Sequence, residues 1–302
     1  MKALYFFLFA TVFNLALGQQ TPPDTEVFLF EIKNEDGKVV LANGKNISKN
    51  EGYDNQPYFL DNEYVLFSSN RNGQTDIARY YIKYDSKSWL NFTPGSEYSP
   101  IKIPNENAVS SINLETDGTQ KLFKYSLSTG QGSVLVDDIV IGYQLWHDQN
   151  TLISAVLENE GLSLYRTDMA TGVDTRLAEK IGRSLNHIPS SNLISYISKA
   201  TDKWEIRSMD ITNGNSKLIT NTLEGSEDMV WYRDAILMGK GSKLYIFQNN
   251  LWKEWADLTQ RGITNITRLA INKDNDLIAI VGESNGSLIN SDDDVNVASS
   301  PS

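Results

Sequence analysis

The sequence predicts an all-β fold, and three observations carry that prediction. Short apolar segments recur along its 302 residues, starting at Tyr64, Ala108, Leu152, Leu193, Ala235 and Leu277, which lie 44, 44, 41, 42 and 42 residues apart. Other short segments flank each one between Gly, Asn and Asp turn signals, so a full recurrence holds four strands. The last recurrence stops after two strands, and the N-terminus offers the two it lacks. A period in the low forties with four strands per unit marks the blade of a β-propeller. Five complete units and one shared between the ends give a six-bladed propeller, closed by pairing of N- and C-terminal strands.

Taken in order, the chain opens on Lys2 and an apolar run from Ala3 to Leu17, with Ala16-Leu17-Gly18 as small residues before Gln19. This reads as a signal peptide over 1–18, too short and weakly flanked for a membrane span. No later segment is apolar for long enough to cross a bilayer, so the mature chain is expected to be exported, to periplasm or medium. One propeller domain is expected over 19–283. Glu26–Lys33 and Lys38–Leu41, joined by Asn34-Glu35-Asp36-Gly37, supply the outer strands of the spliced unit. Asp24 to Ile47 should therefore lie beside Ile266 to Glu283, which removes open sheet edges.

First strands are expected at Pro57-Tyr58-Phe59, Pro100-Ile101-Lys102, Gln144-Leu145-Trp146, Asn186-His187-Ile188, Met229-Val230-Trp231 and Thr267-Arg268-Leu269. Third strands follow at Ile77–Ile82, Leu122–Leu127, Leu164–Met169, Ile206–Ile211 and Leu244–Gln248. Fourth strands are expected at Ser133–Val136, Thr175–Ala178 and Lys217–Thr220, and Trp252-Lys253-Glu254-Trp255 alternates as another. The polar stretch 284–302, with Asp292-Asp293-Asp294, is expected to be a disordered tail.

The first complete unit carries a resemblance. Pro57, Asp61-Asn62, Leu66 to Gly73 and Asp76-Ile77 are similar to the WD-like repeat of TolB-type six-bladed propellers. Later units keep mainly the first turn, at Asp148-Gln149, Asp234 and Asp274-Asn275. TolB proteins carry an α/β domain before the propeller, whereas strand signals here follow the apolar N-terminus almost directly. Prolyl-oligopeptidase-type enzymes carry a similar propeller fused to an α/β-hydrolase domain that this sequence lacks.

Composition narrows the function classes. Cysteine is absent, which excludes disulfides, a thiol nucleophile and thiolate metal sites. Net charge is −11, and −12 once Lys2 is removed, with no Lys/Arg run, so nucleic acid and anionic lipid are disfavoured partners. Gly282-Glu283-Ser284-Asn285-Gly286 matches G-x-S-x-G, but no histidine follows it, and it aligns with Ser69 to Gly73 at the end of a second strand. Asp61, Asp148, Asp234 and Asp274 read as turn residues that accept local backbone N–H groups. Glu158 with Glu160, and Glu224 with Glu227 and Asp228, read as solvated acidic loops. Trp146 and Trp231 align at the ends of first strands and are expected to pack between blades.

No cofactor or metal is implied by these patterns, and the chain is expected to be a non-catalytic binding protein and a monomer. Its partner would be a protein or peptide of the cell envelope, held on the rim or channel mouth. His147, His187, Tyr232, Arg233 and Arg268 are the candidate partner-binding residues, as polar or aromatic groups at first strands and their turns. One rival is a metal-dependent enzyme of the gluconolactonase or glycan-lyase kind, needing three or more inward carboxylates or amides at one level. The other is a small-ligand sensor, of the sugar-binding kind, with Tyr58, Tyr143 and Tyr232 converging at one mouth.

Overall fold

The computed structural model describes residues 23–35, 38–285 and 295–296. The expected signal peptide, the turn Asp36-Gly37 and most of the expected tail lie outside the described residues. Strands β1 (Glu26–Glu35) and β2 (Lys38–Asn46) come first. A four-stranded antiparallel sheet follows, of β3 (Asp54–Phe59), β4 (Tyr64–Arg71), β5 (Gln74–Tyr81) and β6 (Ser86–Trp89). The next holds β7 (Ser96–Lys102), β8 (Ala108–Leu114), β9 (Gln120–Ser126) and β10 (Gly132–Val136).

A seven-stranded sheet then runs through β11 (Ile141–Asp148), β12 (Thr151–Glu158), β13 (Gly161–Asp168), β14 (Val173–His187), β15 (Ile194–Ser198), β16 (Glu205–Asp210) and β17 (Asn215–Asn221). Another four-stranded sheet holds β18 (Met229–Tyr232), β19 (Ala235–Lys240), β20 (Lys243–Gln248) and β21 (Leu251–Asp257). Finally β22 (Ile263–Ile271) and β23 (Leu277–Ser284) join β1 and β2, and β24 (Val295–Asn296) pairs with the outer edge of β2. These are five sheets among the described residues, whose helical structure is two single 3-10 turns.

The terminal splice is present as expected. Glu26 to Glu31 of β1 pair antiparallel with Gly282 to Leu277 of β23. Beyond the splice, Thr25 bridges in parallel to Tyr53, tying the N-terminal strand to the start of β3.

The seven-stranded sheet departs from the expected separate units. Nothing between Ala178 and Asn186 breaks a strand, so the expected fourth strand at Thr175 and first strand at Asn186 fuse into β14. Ile181 lies opposite Leu162 of β13 on one side and Ser198 of β15 on the other. Lys180, at φ 53°, supplies the bend between the two halves.

Packing between sheets follows from the period-2 alternation of the second strands. Val65 and Phe67 face Val27, Leu29 and Val281 of the spliced sheet, while Leu66 faces Val109 and Tyr125 of the next. Ile112 and Leu122 meet Ile141, Trp146 and Leu152; Ile153 and Leu164 meet Ile194 and Tyr196; Ile197 and Ile206 meet Ile236 and Met238. Leu237, Leu244 and Trp255 then meet Phe28, Phe30 and Ile280, which returns to the spliced sheet. The sequence of interfaces thus closes on itself. Trp146 and Trp231 take equivalent places in it, each donating its indole N–H to a second-strand serine of the preceding unit, Ser110 at 2.8 Å and Ser195 at 2.9 Å.

First strands begin earlier than expected. Polar residues such as Asp54, Asn55, Gln56 and Ser96 conceal their N-terminal halves in the sequence, yet Asp54 and Asn55 are buried. Those halves carry the site.

Candidate functional site

On each inner strand or just ahead of it, one side chain turns toward a common space. These are Tyr53, Tyr98, Tyr143, Arg183, Asp228 and Arg268, at intervals of 45, 45, 40, 45 and 40 residues. Their convergence is direct. The rings of Tyr53 and Tyr98 meet edge to face at 6.0 Å, and the Arg268 guanidinium lies 5.1 Å from the Tyr143 ring centre. Arg268 stands 4.0 Å from the Asp228 carboxylate, and Arg183 Nη2 donates to the Thr267 carbonyl at 2.7 Å. Arg183, Asp228, Thr267 and Arg268 line a recess of about 320 Å³, with Glu224, Glu227 and Lys240 on its rim.

The electrostatics of this ring are unbalanced. Burial pushes the Asp228 carboxyl up, opposed by the positive charges of Arg268 and Arg183. Its Oδ2 already accepts the Leu269 N–H at 2.9 Å. Arg183 Nε and Thr267 Oγ1 are buried with no hydrogen-bond partner among the described residues. Burial pushes the Tyr53 phenol up to about 12, against the pull of Arg268, so it stays a protonated donor at neutral pH. At the rim Lys199 takes Glu227 at 2.5 Å and lies 4.1 Å from the centre of the Trp204 ring.

Of the five candidate partner-binding residues, only Arg268 belongs to this ring, which also takes in Tyr143 and Asp228. His147 and His187 come together elsewhere, at the ends of β11 and β14, with ring centres 5.5 Å apart. His187 Nε2 is 2.9 Å from the Trp146 carbonyl, and His147 Nδ1 is buried without a hydrogen-bond partner among the described residues. Burial, then the neighbouring His187, hold His147 below the ordinary histidine range. Tyr232 is buried against Trp255, with ring centres 5.4 Å apart, and Arg233 covers the Tyr232 ring at 5.2 Å. The Arg233 N–H donates to Asn275 Oδ1 at 2.9 Å, linking two neighbouring turns. Tyr58, Tyr143 and Tyr232 are therefore not one aromatic mouth. The tyrosines that share the ring are Tyr53, Tyr98 and Tyr143.

Several of the acidic groups are committed to the protein. Glu158 accepts from Ser163 and Tyr165 and pairs with Arg176 at 3.4 Å. Asp228 is no solvated loop residue, since its side chain is only 12% exposed. Asp61 accepts the Glu63 and Tyr64 N–H groups, and Asp148 accepts that of Asn150, as turn chemistry requires. Ser284 ends strand β23 opposite Ile263, so G-x-S-x-G begins within a strand. Among the described residues, no three His, Asp or Glu side chains form a metal-holding group. The ring itself offers one carboxylate at its level.

No known family model and no curated relative matches this sequence. Solved structures do match. TolB from Acinetobacter baumannii superposes with a TM-score of 0.56 at 13% identity, covering 88% of this chain and 66% of that one. The putative TolB from Agrobacterium tumefaciens gives 0.66 at 11% identity, over 86% and 98%. A gluconolactonase from Xanthomonas campestris gives 0.58 at 9%, over 87% and 96%.

The circle of packed antiparallel sheets and these likenesses together define a β-propeller. Within that class the fold resembles TolB, as the repeat around Asn70-Arg71-Asn72-Gly73 leads one to expect. At such identities the likeness is one of fold, and it extends equally to proteins named for very different work.

Proposed function

We propose that this chain is an exported, non-catalytic binding protein built as a six-bladed propeller, acting in the cell envelope. The count of six takes the seven-stranded sheet as two blades that share β14. Its working surface is the channel mouth at the starts of the inner strands, and its partner is a protein or peptide that reaches into that mouth.

One observation carries this reading: each of six units delivers a polar side chain to one place, three tyrosines, two arginines and an aspartate, and the charged ones are incompletely matched by the architecture. Inter-blade packing needs repetition, and the Trp146 and Trp231 contacts repeat. A ring of unlike polar groups is what selective recognition needs instead.

The test is an affinity pull-down from envelope extract with the chain lacking residues 1–18, beside a Tyr98→Ala, Arg183→Met variant and a metal analysis of the same preparation. A reproducible partner lost with the variant supports the reading. One tightly held divalent ion per chain with no partner overturns it in favour of a propeller enzyme.

A further inference from the structure

We propose that the recess between Arg183 and Arg268 is a carboxylate-binding site, in which a partner's carboxylate lies between the two guanidinium groups. The inference rests on the reading of this mouth as the binding surface, and it names the group recognised there.

Charge comes first. Two guanidinium groups share Asp228, which stands 4.0 Å from Arg268 and already accepts the Leu269 N–H. The rim adds no net negative charge, because Lys199 takes Glu227, and Lys240 lines the recess with Glu224. One positive charge is left over in a nearly buried place, inside a chain of net charge −11. An uncompensated buried charge is costly, and an anion entering the recess removes that cost.

Donor geometry comes second. Arg183 spends Nη2 on the Thr267 carbonyl and leaves the buried Nε without a partner, and Thr267 Oγ1 is equally unmatched. An Nε–H edge, a hydroxyl and a second guanidinium together suit the two oxygens of a carboxylate.

The third argument selects an organic acid over a bare inorganic ion. A surplus of one matches a monoanion better than phosphate near its dianionic state. The Tyr53, Tyr98 and Tyr143 rings continue the site as an aromatic wall, which a carbon body can cover and an ion cannot. Tyr53 remains protonated through the physiological range, so the wall also offers a phenolic donor.

A carboxylate can come from a chain terminus, an acidic side chain or a sugar acid, and the test separates these sources. Thermal unfolding is followed at fixed ionic strength with 50 mM of five probes: N-acetylglycine, N-acetylaspartate α-amide, glucuronate, sulfate and N-acetylglycinamide. A ligand that binds only the folded state raises Tm by mass action. At least one carboxylate is expected to raise Tm by a few degrees, the neutral amide to have no effect, and apparent affinity to fall at least tenfold in Arg183→Met and in Arg268→Met.

An equal rise with sulfate or with the neutral amide, or a rise that survives both substitutions, overturns the proposal. No rise with any carboxylate overturns it too, while the pull-down alone decides the wider reading. A rise confined to glucuronate keeps the carboxylate site and removes the peptide partner.

Discussion

Two arginine–carboxylate pairs in this molecule live under opposite conditions. Near the turn between β4 and β5, Arg71 Nε donates to Asp76 at 2.7 Å, and the wholly buried Asp76 also accepts from Gln74 at 3.0 and 3.1 Å. Trp89 and Phe92 cover the Arg71 guanidinium at 5.1 and 4.4 Å. In the channel mouth, Arg268 and Asp228 only approach to 4.0 Å, and the neighbouring Arg183 keeps a buried N–H unmatched. The same chemical groups thus serve two ends. A fully hydrogen-bonded buried pair fixes a turn, whereas an incompletely matched one in a recess keeps capacity for something else.

The strongest way to break this comparison is to remove one member from each place. Asp76→Ala strands the Arg71 guanidinium under two aromatic rings and is expected to cost about 3–5 kcal/mol. Arg183→Met removes a charge that the fold does not fully use, and stability should stay within about 1 kcal/mol of the parent. Urea unfolding at pH 7, with unchanged m-values, measures both. Equal losses would make the channel pair as architectural as the turn pair.

The difference also explains what the sequence disclosed. Arg71 and Asp76 stand inside the repeat, where Asn70-Arg71-Asn72-Gly73 and the spacing to Asp76 could be recognised, and Gly73 at φ 87° confirms the turn. The splice was equally readable, because missing strands at one end and spare strands at the other are a matter of counting. The ring was not readable. Tyr53, Tyr98 and Tyr143 do recur at 45-residue intervals, but the type changes to Arg183, Asp228 and Arg268 in the later units, and the ring members sit in polar segments without the alternation that marks a half-buried strand. Tyr143 stood out as an aromatic residue and Asp228 as an acidic one, but only folding puts them beside Arg183. Arg268 entered the reading because it fell within an apolar strand. The His147–His187 contact depends on the ends of two strands of neighbouring units, which spacing alone does not bring to 5.5 Å.

A third carboxylate sharpens the comparison, because it is buried and half matched but outside the recess. Asp54 accepts a hydrogen bond from Ser69 Oγ, its Oδ2 has no partner among the described residues, and its backbone carbonyl accepts from Thr25. Burial pushes its pKa from 3.8 to about 7, opposed by the Ser69 hydrogen bond and the Lys87 charge. A carboxyl raised on folding favours the native state fully below its unfolded pKa, and that contribution is lost as pH rises through the folded value. Stability should therefore decline from about pH 4 to pH 7 on account of this group, by at most about 4 kcal/mol. Asp54→Asn should flatten that decline, giving a variant close to the parent at pH 4 and more stable at pH 8. Parallel curves for variant and parent would show that Asp54 ionises in the native state without penalty.

The smallest effect lies with the two histidines, and it carries the opposite sign. His147 is held below its ordinary 6.5 first by burial and then by the positive charge that His187 can take up. A base depressed on folding contributes stability above its unfolded pKa, and that contribution is lost as pH falls through the folded value. Acidification should thus weaken the end of β11 slightly while the Asp54 contribution grows. Proton NMR of the imidazole Cε1–H signals separates the two causes. In His187→Asn the His147 midpoint should rise, because the charged neighbour is gone, yet remain below 6.5, because burial persists. A midpoint that does not move would mean the two rings do not sense one another across 5.5 Å, and that the depression belongs to burial alone.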